Sequence, residues 1–236
     1  MKKVIYILLL AVTTTLFPSC EKDNYDSPDA MLTGAIMYQG DTLYLKNGEV
    51  SLQLYEPGWA TSSSTYVTVY VDQFGKFSSS IFGGRTYKMI RSSIGAWELP
   101  GASDTITFTA NGNTVQNIEV KPYYLIKNTN IQISNNVVTA NFNIEEVQAG
   151  SGVEYVQLCL FPNAIIDISN NTVNTTNADN SINGRLTDVN VGSNTITKSI
   201  VESDLLKYNF IYARVGIKVQ GASALLYSSP VKLYLN

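Results

Sequence analysis

Asn209-Phe210-Ile211-Tyr212-Ala213-Arg214-Val215-Gly216-Ile217-Lys218-Val219 carries an apolar residue at every second position. Ile211, Ala213, Val215, Ile217 and Val219 therefore share one face of an extended chain, since successive strand side chains point to opposite sides. The same period sets Val50, Leu52 and Leu54 on one face of residues 49–55, and Val138, Ala140, Phe142 and Ile144 on one face of residues 137–145. Apolar stripes with the 3.6-residue helical period are missing. The expectation is an all-β chain with almost no helix outside its first residues.

Working outward, Tyr66 to Val71 alternates, and Asp72-Gln73-Phe74-Gly75 turns it into a strand through Phe77, Ser79 and Ile81. Residues 104–110 and 115–120 are expected to form a hairpin around Asn111-Gly112, a dipeptide suited to a type I′ turn. Pro122-Tyr123-Tyr124 marks a boundary, with Tyr123 and Tyr124 expected to pack between domains. Residues 162–195 are polar and rich in Asn and Thr, which reads as solvated loop with short edge strands.

The first residues bear on location. Lys2 and Lys3 are followed by an apolar run from Val4 to Leu16, too short for a spanning helix, then by Ser19, Cys20 and the polar Glu21-Lys22-Asp23-Asn24. This order is expected to be a bacterial lipoprotein signal over residues 1–19, with Cys20 as the acylated residue and residues 20–29 as a tether. The membrane partner is then a lipid anchor at Cys20.

Composition excludes several classes of function. Without Lys2 and Lys3, 14 basic residues face 19 acidic ones, a net charge of −5. A mildly acidic chain with no basic cluster does not suit a nucleic-acid surface, which must replace phosphate counterions. The chain has no histidine. That removes the Ser-His-Asp and Cys-His mechanisms and the usual zinc sites. Glu145-Glu146 sits in an alternating strand, so its carboxylates diverge. Beyond Cys20 only Cys159 remains, in an apolar run where it serves as a small core residue. Asp72 and Asp104 belong to no acidic cluster dense enough for calcium. No enzyme activity, metal or cofactor is expected.

Several motifs resemble known families. Leu32-Thr33-Gly34, Gly48-Glu49-Val50-Ser51-Leu52 and Asp72-Gln73-Phe74-Gly75-Lys76-Phe77 resemble the carboxypeptidase-regulatory or transthyretin-like β-sandwich, over residues 30–121. Tyr212-Ala213-Arg214-Val215-Gly216 looks like strand F of an immunoglobulin or fibronectin type III-like sandwich, over residues 122–236. With residues 54–58, 81–88 and 122–124, the whole resembles the two-domain Bacteroidetes lipoproteins of unknown function, often encoded beside starch-utilisation-type outer-membrane transport pairs. Cys20-Glu21-Lys22-Asp23 is similar to the signal that sends such lipoproteins to the outer face of the outer membrane. The resemblance implies a surface-exposed, lipid-anchored protein, with polysaccharide or outer-membrane transport proteins as partners. It supports glycan capture and scaffolding of the transport complex equally.

Sugars are held by flat aromatic faces ringed with amide and hydroxyl groups. The chain's two tryptophans, Trp59 and Trp97, lie in apparent loops beside glycine and are the candidate ligand-binding residues. Each is either a platform or a structural residue that plugs the end of a sandwich or packs against the partner domain. Trp59 is favoured, because Pro57-Gly58 projects it from a turn beside polar Thr61-Ser62-Ser63-Ser64.

Overall fold

The structure is a computed structural model that describes residues 26–58, 65–91, 94–99, 105–171, 184–200 and 204–235. The first half contributes β1 (Ala30–Tyr38), β2 (Asp41–Thr42), β3 (Ser51–Tyr55), β4 (Val67–Tyr70), β5 (Lys76–Ile81), β6 (Thr86–Arg91), β7 (Thr105–Thr109), β8 (Asn113–Val115) and β9 (Ile118–Glu119). The second contributes β10 (Tyr124–Ser134), β11 (Val137–Glu146), β12 (Val153–Phe161), β13 (Arg185–Leu186), β14 (Gly192–Ser199), β15 (Phe210–Val219), β16 (Leu226–Tyr227) and β17 (Val231–Tyr234). A single 3₁₀ turn, Asp204–Lys207, is the helical element among the described residues. The all-β expectation holds.

In the first sandwich β1 is central. It pairs antiparallel with β5 and β2 and parallel with β8 and β9. The facing sheet runs β4-β3-β6-β7. Leu32, Ile36 and Phe77 from one sheet join Leu52, Leu54, Tyr87 and Met89 from the other in a common core. Gly34 is where β1 needs a glycine: a Cβ there would stand 2.0 Å from the Gln116 carbonyl oxygen, which crosses β1 between β8 and β9.

The expected hairpin at Asn111-Gly112 does not form. β7 pairs with β6 in one sheet, whereas β8 runs parallel to β1 in the other. Gly112 has a positive φ of 58° but Asn111 does not, so a type I′ turn is not made and the chain crosses between sheets. The Asn-Asn pair Asn135 and Asn136 does take left-handed values, 49° and 59°, and closes the two-residue β10–β11 hairpin.

The Asp72–Gly75 turn also changes sheets, from β4 to β5. Asp72 Oδ1 accepts from the amides of Phe74 and Lys76, both at 2.9 Å. Gly75 has φ 73°, and a Cβ there would lie 2.1 Å from the Leu43 carbonyl oxygen. Both the conformation and the close approach demand glycine.

The second sandwich packs β10-β11-β14 against β13-β12-β15 with β16 and β17, the arrangement of a fibronectin type III-like domain. Val138, Ala140, Phe142 and Ile144 are buried as the alternation requires, as are Ile211, Ala213, Val215, Ile217 and Val219. The opposite face of β15 is not all wet, however. Arg214 is fully buried, because the first sandwich and the 162–171 loop cover it.

The two sandwiches meet along a dense seam, and one continuous cluster of buried apolar side chains includes residues of both. Tyr227 donates its amide to the Tyr44 carbonyl at 3.0 Å, and Ala224 donates to Gly95 at 3.3 Å. Gln73 makes two bonds to the far domain: its Nε2 donates to the Ala164 carbonyl at 2.9 Å, and its Oε1 accepts from the Ile166 amide at 3.4 Å. The contact between domains is therefore apolar and reinforced by polar bonds.

Candidate functional site

A cleft of about 500 Å³ opens where the β1–β2 turn faces the start of β10 and the segment after β16. The turn is tight: Gln39 and Gly40 have φ of 52° and 88°, which bring Asp41 opposite Tyr38. Across the cleft the β10–β11 ladder slips between Lys127 and Asn130, with Asn128 at φ 51°. The bulge sets Lys127, Asn128 and Thr129 along the rim. Lys127 Nζ then pairs with Asp41 Oδ2 at 3.2 Å, one sandwich to the other. Leu43, Leu125 and Leu226 are the buried apolar part of the lining.

Half-buried Tyr38 and Tyr44 add aromatic surface, and Thr42, Asn128, Thr129 and Ser229 add hydroxyl and amide groups. The Tyr38 hydroxyl accepts from Gln39 Nε2 at 3.1 Å. Ser228 is committed inward, accepting from the Val215 amide at 3.0 Å. Burial pushes the Tyr227 phenol far above its ordinary range, so the ring stays neutral beneath the Arg214 guanidinium, 3.8 Å above it. The lining holds apolar faces beside polar rims and one paired ion couple. Such a surface suits reversible binding of a polyol.

The residues singled out in the sequence lie elsewhere. Trp97 is 2% exposed and forms a bridge with Pro122, so it plugs the seam and cannot be a platform. Of the readings open for Trp97, packing against the partner domain is the one found, and its candidacy as a ligand-binding residue is withdrawn. The neighbouring Gly95 and Ala96 are buried too, because their backbone bonds to Ser223, Ala224 and Tyr123 hold the segment against the second sandwich. Trp59, Cys20 and Asp104 lie outside the described residues.

Tyr123 reaches across the seam through its amide, which donates to Ala96. Tyr124 is tied within its own domain, donating its hydroxyl to the Ser151 carbonyl at 2.7 Å. Residues 162–171 are loop, with Asn163, Ile165, Ser169 and Asn170 exposed, but Ile166 and Asp167 turn inward and are buried, and Asp167 Oδ1 accepts from the amides of Ser169 and Asn170. Among the described residues no group of three His, Cys, Asp or Glu stands close enough to hold a metal.

Sequence reasoning missed Tyr38 and Tyr44. The signal available was weak: two tyrosines flank Gln39-Gly40, a turn pair that could have marked an exposed rim.

Comparison with known proteins gives the chain its relatives. The model for the N-terminal domain of a protein of unknown function, DUF3823, matches residues 30–121. The model for the corresponding C-terminal domain of unknown function matches residues 124–232. Among solved structures, a DUF3823 family protein from Bacteroides ovatus is 31% identical, with TM-score 0.74 over 89% of this chain and 100% of that one. Another from Parabacteroides merdae is 29% identical, with TM-score 0.76 over 88% and 100%. A protein from Bacteroides uniformis described as a "putative carbohydrate binding protein" is 19% identical, with TM-score 0.72 over 88% and 100%. Among curated proteins, nothing matches.

Proposed function

This chain belongs to the DUF3823 family, and on that footing we propose that it is a non-catalytic, lipid-anchored protein capturing glycan at the outer-membrane surface. The observation that carries the reading is the interdomain cleft, where Tyr38 and Tyr44 stand among Thr42, Asn128, Thr129 and Ser229. A pyranose offers an apolar C–H face and a hydroxyl rim, and that lining offers a partner to each. The description of the Bacteroides uniformis relative agrees with it. The missing histidine, which removes the commonest general base, favours binding without turnover.

The anchor is the acylated Cys20, with the protein facing outward. Two or three acyl chains hold a protein firmly where one does not. Cys20→Ala should release the protein from membranes, and fractionation with membranes as before would remove the anchor from the proposal. For the cleft, the mature chain is tested against a panel of neutral glycans, with Tyr38→Ala and Ser229→Ala as variants. Binding that both variants weaken supports capture. No binding across the panel, together with recovery of a membrane transport protein in cross-linking, would replace capture by scaffolding.

A further inference from the structure

The end of the second sandwich where β15 begins carries an aromatic face of half-buried Phe210 and Tyr212 and exposed Lys232 and Tyr234. Tyr212 packs inward on the cluster around Cys159 and Tyr227, and the cleft uses none of the four. In the register of β15 with β17, Phe210 stands opposite Tyr234 and Tyr212 opposite Lys232. Ile211, Ala213 and Leu233 are buried in the core, so the alternate residues Phe210, Tyr212, Lys232 and Tyr234 point to the other side. The Phe210 ring lies 6.0 Å from that of Tyr212 and 6.4 Å from that of Tyr234. Tyr234 is 65% exposed. Lys232 Nζ rests 3.8 Å from the Phe210 ring and 5.1 Å from the Tyr234 ring. The adjoining 3₁₀ turn adds exposed Leu206 and Tyr208, with Lys207 Nζ 5.5 Å from the Tyr208 ring.

The face has a defined position in the molecule. β1 runs from Ala30 toward the cleft at Tyr38, so the chain enters the first sandwich at its end away from the seam. β15 runs from Phe210 toward the seam, which it reaches where Gly216 pairs with Tyr227 and Tyr227 meets Tyr44. Residue 30 and the aromatic face therefore lie toward opposite ends. A chain tethered ahead of residue 30 presents the face outward.

We propose that this face binds an anionic polysaccharide, its rings stacking on sugar C–H faces while Lys232 and Lys207 pair with carboxylate or sulfate groups. The proposal rests on the reading of the chain as a glycan-capturing protein, though not on the cleft. Charge selects the ligand. Lys232 forms no ion pair with a described residue, and Lys207 has only Asp204, at 3.9 Å and largely exposed. An ammonium resting on an exposed ring is held weakly, whereas a charge-assisted hydrogen bond to an anion is stronger. An anionic chain thus draws Lys232 off Phe210 and frees the ring for stacking. A neutral chain would have to displace the cation and leave it unpaired. The cleft is the converse case, since Lys127, the one cation among its described lining residues, is already paired with Asp41.

The test uses the full mature chain in affinity electrophoresis through polygalacturonate, chondroitin sulfate and, as the neutral polymer, dextran. The expected result is retardation by at least one anionic polymer that salt weakens. Tyr234→Ala and Lys232→Gln should each weaken it at least fivefold, with melting temperature unchanged because both side chains are exposed, while Tyr38→Ala in the cleft has no effect. Retardation by neither anionic polymer, or retardation that both variants retain, overturns the proposal. Neutral-glycan binding lost only in Tyr38→Ala would leave the capture function standing while this face falls. Absence of all glycan binding ends both.

Discussion

Arg214 and Leu45 are bonded across the domain seam, the guanidinium Nη2 donating to the Leu45 carbonyl oxygen at 2.9 Å. The guanidinium also covers the Tyr227 ring, while its Nε and Nη1 have no hydrogen-bond partner among the described residues. Burial holds its pKa below the ordinary range. Removing the side chain deletes the bond and the ring contact together. Arg214→Ala should therefore cost about 2–4 kcal/mol. Calorimetry should show one thermal transition in the parent and two in the variant, as the sandwiches uncouple. Arg214→Met, which keeps volume and buries no unpartnered N–H, should be milder. An unchanged single transition in Arg214→Ala would refute this role for the bond.

Lys198 is fully buried, its Nζ donating to Asn171 Oδ1 at 3.0 Å, and burial lowers its pKa to about 8. The unfolded chain keeps that proton to a higher pH, near the ordinary 10.5. Between those values the unfolded state binds more protons, so this group adds stability as pH rises and costs stability below pH 8. The span is worth about 3 kcal/mol. The difference in urea stability between Lys198→Met and the parent should favour the variant at pH 7 and shrink by pH 10. A difference independent of pH would show that the amine is not strained by its burial.

Trp97 fills the seam beside Pro122, and its indole Nε1 has no hydrogen-bond partner among the described residues. Trp97→Ala should cost about 3–5 kcal/mol through the cavity left behind. Trp97→Phe should cost much less, since no hydrogen bond is lost. Neither should alter the affinity of the folded protein for glycan. A variant that keeps its melting temperature but loses binding would return Trp97 to the ligand site.

Trp59, favoured from the sequence as the sugar platform, is expected to behave oppositely on substitution by alanine. Glycan binding should weaken by about 1–3 kcal/mol with stability almost unchanged. A large fall in melting temperature would make Trp59 a packing residue.

Burial raises the Cys159 thiol to about 12, a rise that nearby Lys198 and Arg214 oppose without cancelling. In a Cys20→Ala background, Ellman's reagent at pH 8 should leave the native protein unlabelled and react fully in denaturant. Rapid native labelling would place the thiol at a surface.

Much of the second sandwich is legible in its alternation. Val138 to Ile144 and Ile211 to Val219 bury the residues that the two-residue period selects. What the period cannot show is a strand covered on both faces. Arg214 occupies the side that the alternation of β15 leaves to water and is buried because it bonds to Leu45 of the first sandwich, while Cys159 opposite it is buried as its apolar run indicates. The same tertiary cover turns Trp97 from a loop residue into a seam residue. Asn111-Gly112 carries a turn signal that β1 overrides by drawing β8 into a parallel pair. The cleft escapes notice for a different reason: Tyr38 and Lys127 are far apart in sequence and meet only when two domains dock.

The central place of β1 has a mechanical consequence. Its antiparallel ladder with β5 spans residues 30–35, and its parallel ladder with β8 spans residues 31–33 on the opposite edge. A pull on the chain ahead of Ala30, directed along the strand, loads both ladders in shear, so their hydrogen bonds share the force rather than peel away one by one. Drag on a long polymer held at the far end would be transmitted along this axis. With the chain anchored ahead of Ala30 as proposed, β1 meets that load through ladders on both its edges.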